Sequence, residues 1–481
     1  MNAIENNVGD RLALKSGVLY LFAELITRGI SFLATPVFTR LLPKEVFADA
    51  RIFESWTYLL APVISLSMYQ SIARAKLDYN DEFPKYLSSV LTLLVLLTVV
   101  ILGIGVFVWP LAARLLGFEW LLLLLMLMYS LSYNGLQCVQ IYERQVMNYR
   151  ANVVLTVLAV VPGVVISVVC VALLGNTMTA EELLNLRLFS FFMPTTLIGI
   201  VVMIWACRRG REFVSVSKWC YAIRYSVPMM ATAISSQVFF QSATIVVRNM
   251  VGASEAALVA IAMTVGYIMD ILVHAIDNAW RPWMYEKMQA GKTDDVRRLW
   301  RVLLMGVVLI VWCLTMAAPE LILLLGGKDY MNAVRLICPI LCGSLANFLL
   351  IEYTAVEQYY KKTRISGLTS LIAAAIDIVL NILFVKLFGY VSVVYTTAAA
   401  YLLACIIHYV LIRGFEKDNV LSTGRSFAII IGTFVLCMFS TLCYGLGTLA
   451  RLAIVLVVFG CGAAALRKPL IGVMQSFLGK H

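Results

Sequence analysis

The sequence predicts an all-α membrane protein of about fourteen transmembrane helices, grouped six, six and two. Three observations lead there. Of 481 residues, 62% are hydrophobic and only 14% charged, more apolar surface than a water-soluble fold covers with its own polar shell. The apolar residues form long continuous runs, whereas a membrane β-barrel reads as alternating segments of about 10 residues. The positive charge is also shared unevenly between alternate connections, as set out below.

A hydrocarbon core about 30 Å thick needs about 20 helical residues per crossing, so the length suits fourteen crossings with short connections and no extramembrane domain. The first expected span, 16–38, is too long for the apolar region of a cleavable signal and runs into Thr39-Arg40-Leu41-Leu42-Pro43, so it reads as a retained span. The following spans are expected at 46–72, 86–108, 118–142, 151–174 and 188–207. A basic stretch from Arg208 to Lys218 closes this first group. The second group comprises 225–247, 256–280, 302–325, 336–360, 365–385 and 390–412, closed by Arg413 to Asn419. Spans 426–444 and 452–466 form the last pair. The domains implied are an N-terminal six-helix lobe over 1–210, a C-terminal six-helix lobe over 211–413, and two further helices with a tail over 414–481. Six spans return the chain to its starting side, so the two lobes read as parallel repeats.

A net charge of +11 invites a nucleic-acid reading. Its distribution argues otherwise. With the N-terminus inside, 27 of the 38 Lys and Arg fall on the cytoplasmic side, 10 toward the opposite side, and Arg28 inside the first span. That is the positive-inside signature of an inner-membrane protein with both termini cytoplasmic, so no nucleic-acid partner is expected. Anionic head groups of membrane lipids suit the cluster Arg208, Arg209 and Arg211. The 11 cysteines form no Cys-x-x-Cys, and with 3 histidines no metal site or cofactor is expected.

Charged residues at membrane depth cost about 2.5–3.5 kcal/mol each on insertion scales, so each needs a reason. Glu24, Arg28, Ser31 and Thr35 stand at offsets 0, 4, 7 and 11 in the first span. Gln237, Gln241, Thr244 and Arg248 repeat the offsets in the seventh, and Asp270, His274, Asp277 and Arg281 in the eighth. Each set occupies one helical face, and together they suggest a polar cavity. Arg28 falls too deep to snorkel easily, which favours a role in the cavity, with Glu24, Gln241, Arg248, His274 and Arg281 as further candidate binding residues there. Asp270, Asp277 and Asp377 are candidates for binding a coupling H+ or Na+. Bland readings compete with each: Glu24 can simply neutralise Arg28, Arg248 and Arg281 can anchor at the interfaces, and Glu357 can pair at the surface with Lys361.

The segment from Arg28 through Thr35-Pro36-Val37-Phe38-Thr39-Arg40-Leu41-Leu42-Pro43 resembles the first span and following turn of bacterial oligosaccharide flippases that export polysaccharide units. Arg74-Ala75-Lys76-Leu77-Asp78-Tyr79, Tyr225-Ser226-Val227-Pro228 and Ala279-Trp280-Arg281-Pro282-Trp283 are similar to later landmarks of that family. The resemblance implies the multidrug/oligosaccharidyl-lipid/polysaccharide exporter superfamily, with two six-helix lobes in a V and often two added helices. It implies a substrate of undecaprenyl pyrophosphate bearing an O-antigen or similar glycan, flipped from inner to outer leaflet for lipopolysaccharide or related surface polysaccharide. Partners expected from it are a polysaccharide polymerase and assembly proteins. Many members carry an Asp-Arg pair in the seventh span where this chain has Ala243 and Thr244, leaving Arg248 as a substitute. Two rivals remain. A multidrug cation antiporter of the same superfamily favours an acidic, aromatic cavity. A membrane polymerase or glycosyltransferase needs a sizeable outer loop, and the outer loops here are at most about a dozen residues.

Overall fold

The computed structural model describes residues 29–478 except Ser31, so most of the expected first span, with Glu24 and Arg28, lies outside the described residues. The described residues form α-helices joined by short turns and 3-10 segments, with no strand among them. Twelve helical segments among them are long and apolar enough to cross a membrane. Helix α1 (Lys44–Ile64) is not one of the twelve, because Asp49, Arg51 and Glu54 fall within it.

Two expected spans are broken. The second, 46–72, divides where α1 ends and α2 (Tyr69–Asp78) begins, across a turn in which Leu66 and Ser67 adopt left-handed backbone at φ 48° and 51°. Left-handed backbone costs a side-chain-bearing residue about 1–2 kcal/mol. Buried hydrogen bonds hold the turn, among them the Ser65 hydroxyl donating to the Ala61 carbonyl at 2.9 Å. The ninth, 302–325, divides at Ala317 into α9 (Thr293–Met316) and the short α10 (Ala318–Gly326), with Pro319 in the first turn, where its missing N–H does no harm.

The described residues fall into two compact units that divide between Gln241 and Ser242, part-way along the 35-residue helix α7 (Val216–Met250). In the first unit α3 (Phe83–Leu116), α4 (Trp120–Gln145), α5 (Tyr149–Leu174) and α6 (Ala180–Gly210) pack with α1 and α2. Burial ranks them. The apolar window of α4 is 72% buried against 28% for α3 and α5, so α4 is the packed centre and the other two present apolar faces outward. One cluster gathers Phe53, Phe118, Leu122, Tyr129, Leu188 and Phe192 about the first half of α4. A second gathers Ile72, Phe83, Tyr86, Val139, Tyr142 and Met203 about its last turns.

Helix α6 starts eight residues before the expected 188, because Thr179 and Glu182 make a reciprocal capping box. That correction carries Arg187 out of a connection and into a helix.

The second unit holds the rest of α7 with α8 (Ala253–Gln289), α9, α10, α11 (Val334–Tyr359), α12 (Thr363–Phe388) and α13 (Ser392–Ile412). Helix α11 is its centre, 78% of its window being buried. The last pair, α14 (Thr423–Ser440) and α15 (Thr448–Leu478), attaches chiefly to α9 and α11. The indoles of Trp300 and Trp312 donate to Ser426 and Ser440, each at 2.9 Å, and Arg451 pairs with Glu320. The apolar window of α15, Thr448–Ala465, is only 6% buried, so nearly all side chains of that stretch face outward.

Candidate functional site

Among the described residues five acids are buried in the second unit, Asp277, Glu352, Glu357, Asp377 and Glu416, and each is held differently. Asp377, on α12, is fully enclosed. Its Oδ2 accepts from the Ser242 hydroxyl at 2.6 Å and from Asn381 Nδ2 at 3.1 Å. Asn381 stands one turn along the same helix and is fixed in turn by α13, its Oδ1 accepting from Thr396 at 2.5 Å. Its Nδ2 also reaches Ser242 Oγ at 3.1 Å and Thr397 Oγ1 at 3.4 Å. Three helices thus aim neutral oxygens and an amide at one carboxylate. Asp377 Oδ1 is buried and has no hydrogen-bond partner among the described residues. A buried ionised oxygen left in that condition costs several kcal/mol unless a proton or cation meets it.

Two other candidate acids, both on α8, are engaged by their own helix. Asp270 lies 3.3 Å from His274 Nε2. Asp277 takes a two-pronged hydrogen bond from Arg281, at 2.8 and 2.6 Å, while Arg281 Nη1 donates to Gln358 at 3.1 Å. The offsets read from the sequence therefore bring these residues together as two i,i+4 pairs. Tyr401 of α13 lies within electrostatic range of both Asp377 and Asp270. Gln241 is buried and Arg248 half-buried near the end of α7.

Two buried acids come from α11. Glu352 accepts from the Trp280 indole at 2.6 Å. Glu357 is fully enclosed and meets His408 Nδ1 at 2.8 Å, with Ser370 Oγ 3.5 Å from His408 Nε2. The surface pair expected between Glu357 and Lys361 is not formed, since Glu357 faces inward toward α13.

The first unit contains a charge cluster that the spacing argument missed. Arg187 donates to Glu54 Oε1 at 3.0 Å, Arg51 bonds Glu54 Oε2 at 3.0 Å, and Arg51 also reaches Thr35 at 3.0 Å. The Arg187 guanidinium lies between two phenyl rings, 4.0 Å from the centre of Phe38 and 4.3 Å from that of Phe191. Arg187 is thus a buried cation within a helix that the spacing argument did not count. The capping signature Thr179-Ala180-Glu181-Glu182 was the available signal, because it starts α6 early enough to enclose Arg187.

The basic stretch after α6 is partly buried. Lys218 is 4% exposed and bridges Glu82 at 3.0 Å and Glu212 at 2.7 Å. Nearby, the Tyr221 hydroxyl donates to Asp78 and, with Arg74 alongside, holds that carboxyl below the usual carboxylate range. Among the described residues no group of three or more His, Cys, Asp or Glu is placed to hold a metal ion.

Comparison with known proteins follows the same direction. A family profile described as polysaccharide biosynthesis protein matches residues 13–288. No curated protein sequence matches. Among solved structures, a lipid II flippase, MurJ, in an inward closed conformation superposes with TM-score 0.68 at 14% identity, covering 94% of this chain and 100% of that one. An inward-facing multidrug resistance MATE family transporter of the MOP superfamily gives TM-score 0.59 at 14% identity, over 82% of this chain and 96% of that one. A Vibrio cholerae MATE transporter in its bent form gives 0.55 at 13%, over 85% and 98%. At such identities the likeness establishes the fold. The profile match covers more than half of the chain, which therefore belongs to the polysaccharide biosynthesis protein family and carries a multi-pass helical fold shared with membrane transporters.

Proposed function

We propose that this chain flips undecaprenyl-pyrophosphate-linked oligosaccharide, an O-antigen or similar surface polysaccharide unit, from the inner to the outer leaflet of a bacterial inner membrane. Membership of the polysaccharide biosynthesis family carries the reading. The fold shared with a lipid II flippase and with multidrug transporters supplies an architecture suited to alternating access. A lipid-linked sugar needs a hydrated cavity for its head group while its tail stays in lipid. Guanidinium groups suit the pyrophosphate because they remain charged and hydrogen-bond in a fork. Arg28, with Glu24 beside it, and Arg248 are the proposed anion-binding residues, with Gln241 and His274 as polar contacts. Arg281 is a further candidate, with its fork closed on Asp277.

The proposed coupling site is Asp377. Its enclosed Oδ1, beside the Ser242 hydroxyl, suits H+ or Na+, and loading it changes the charge of the unit by one. Asp270 and Asp277 are secondary, each already facing a basic neighbour. The second reading, a multidrug cation antiporter, draws on the buried acids Asp277, Glu352 and Asp377 and the similarity to MATE transporters.

The test is leaflet-resolved analysis of lipid-linked sugars in cells lacking this chain. Accumulation of complete units at the inner leaflet, relieved by the wild-type chain, is expected. Asp377→Asn keeps the hydrogen bonds but not the charge, and is expected to slow relief and flatten its dependence on pH or sodium. Units stranded at the outer leaflet indicate a polymerase. Unaltered sugars with lost resistance to organic cations indicate the antiporter.

A further inference from the structure

A cavity of about 360 Å³ lies at one end of the second unit, where α11 and α13 finish and α14 begins, and the functions discussed so far make no use of it. It is within the size range of small-ligand sites, about 300–1,000 Å³. Its inner wall is Tyr353, Tyr409 and Thr423, and its rim is the connection carrying Arg413, Glu416 and Lys417.

Glu416 is the unusual member. It is 7% exposed although it belongs to a connection, and burial raises its carboxyl above the ordinary carboxylate range. Backbone N–H groups of Asp418, Asn419 and Val420 reach the carboxylate. Oε1 is nevertheless buried with no hydrogen-bond partner among the described residues. The two cations on the same rim are exposed, and among the described residues neither has a carboxylate within 4.0 Å. One wall thus offers an acceptor for a cation and the rim offers two donors for an anion, three residues apart on one side and one on the other.

The connection is also held in a costly shape. Asn419 and Ser422 adopt left-handed backbone at φ 50° and 46°. Asn419 Oδ1 compensates by accepting from both the N–H and the hydroxyl of Thr423, each at 2.9 Å, and Thr423 in turn accepts from Tyr353 at 3.0 Å. Arg297 at the start of α9 ties down the Asp418 carbonyl. Strained backbone that its surroundings over-determine is a feature of ligand clamps. The Tyr353 and Tyr409 rings stand within the last two turns of their helices, the depth at which aromatic residues meet lipid head groups.

We propose that this cavity binds an ammonium–phosphate zwitterion, the head group of an aminophospholipid, with the ammonium on the Glu416 carboxylate and the phosphate on Arg413 and Lys417. A purely anionic head group satisfies the rim but brings no positive charge to the Glu416 carboxylate. A purely cationic ligand leaves both rim cations unused. The position at the helix ends favours a lipid over a soluble zwitterion, since the glycerol and tails can leave along α13 and α14. The inference is independent of what the protein transports.

Native mass spectrometry of the full-length protein, delipidated in detergent and supplied with one compound at a time, tests it. The probes are phosphatidylethanolamine, phosphatidylglycerol and free O-phosphoethanolamine. One phosphatidylethanolamine per chain is expected, preferred about tenfold over phosphatidylglycerol, with free O-phosphoethanolamine much weaker than either. Glu416→Gln keeps an acceptor for the backbone and should abolish the preference. The exposed double change Arg413→Ala with Lys417→Ala leaves packing untouched and should lower retention of both lipids about tenfold. Equal binding of the two lipids by the wild type overturns the proposal. So does unchanged retention in the double variant, which remains informative should Glu416→Gln fail to fold. Free O-phosphoethanolamine binding as tightly as the lipid overturns the lipid assignment.

Discussion

A guanidinium held between two phenyl rings and bonded to one carboxylate, as Arg187 is with Phe38, Phe191 and Glu54, is stable as a pair and costly as a fragment. Removing one partner from a buried pair leaves an uncompensated charge, at about 3–5 kcal/mol, while replacing both with apolar groups is often nearly neutral. Arg51 shares Glu54 from a half-exposed position and softens the loss when Arg187 alone is removed. Glu54→Leu is therefore expected to lower the melting temperature in detergent more than Arg187→Leu, and the double variant to recover most of the loss. A Glu54→Leu protein that melts with the wild type would show that the cluster contributes nothing to stability. At this scale the sequence was half legible. Asp277–Arg281 and Asp270–His274 could be read from helical spacing, because both members of each pair lie on one helix. Glu54–Arg187 joins residues 133 positions apart, and Ser242–Asp377 joins residues 135 apart, distances over which no spacing rule operates.

Helix contacts in the first unit depend on absent side chains. A Cβ on Gly199 of α6 would stand 2.7 Å from the Ser132 carbonyl oxygen of α4, and one on Gly163 of α5 would stand 2.3 Å from that of Phe191 on α6. Small residues at such crossings let backbones approach, which matters where lipid gives no hydrophobic drive to association. Gly103 on the outward face of α3 would meet nothing within 4 Å. Gly199→Ala should destabilise by about 1–3 kcal/mol through overpacking, whereas Gly103→Ala should be neutral or stabilising by up to about 1 kcal/mol through helix propensity. Thermal melts of the two variants side by side decide it, and equal shifts would remove the packing argument. The helices themselves were legible because twenty apolar residues in a row have few alternatives. The break at Leu66–Ser67 was not, since neither residue is the Gly or Asn that normally marks left-handed backbone.

For the molecule as a whole, orientation follows from charge. The clusters of Lys and Arg on alternate connections predict that the connections after α6 and after α13 face the cytoplasm. In a cysteine-free background, single cysteines at Arg211 and Lys417, both exposed, should label in inverted vesicles and not from outside intact cells. Lys218 is unsuitable as a reporter because it is buried between Glu82 and Glu212. Labelling of either exposed position from outside would reverse the proposed topology and, with it, the direction of transport.

The trio at α11, α12 and α13 also bears on how function is inferred from geometry. Glu357, His408 and Ser370 are arranged as acid, imidazole and hydroxyl, the order that activates a nucleophile in serine hydrolases. Yet Glu357 and His408 have no exposed surface and Ser370 is 7% exposed, so neither an ester nor the water to hydrolyse it can reach the hydroxyl. What makes a triad an enzyme is the opening in front of it, and here packed helices occupy that space.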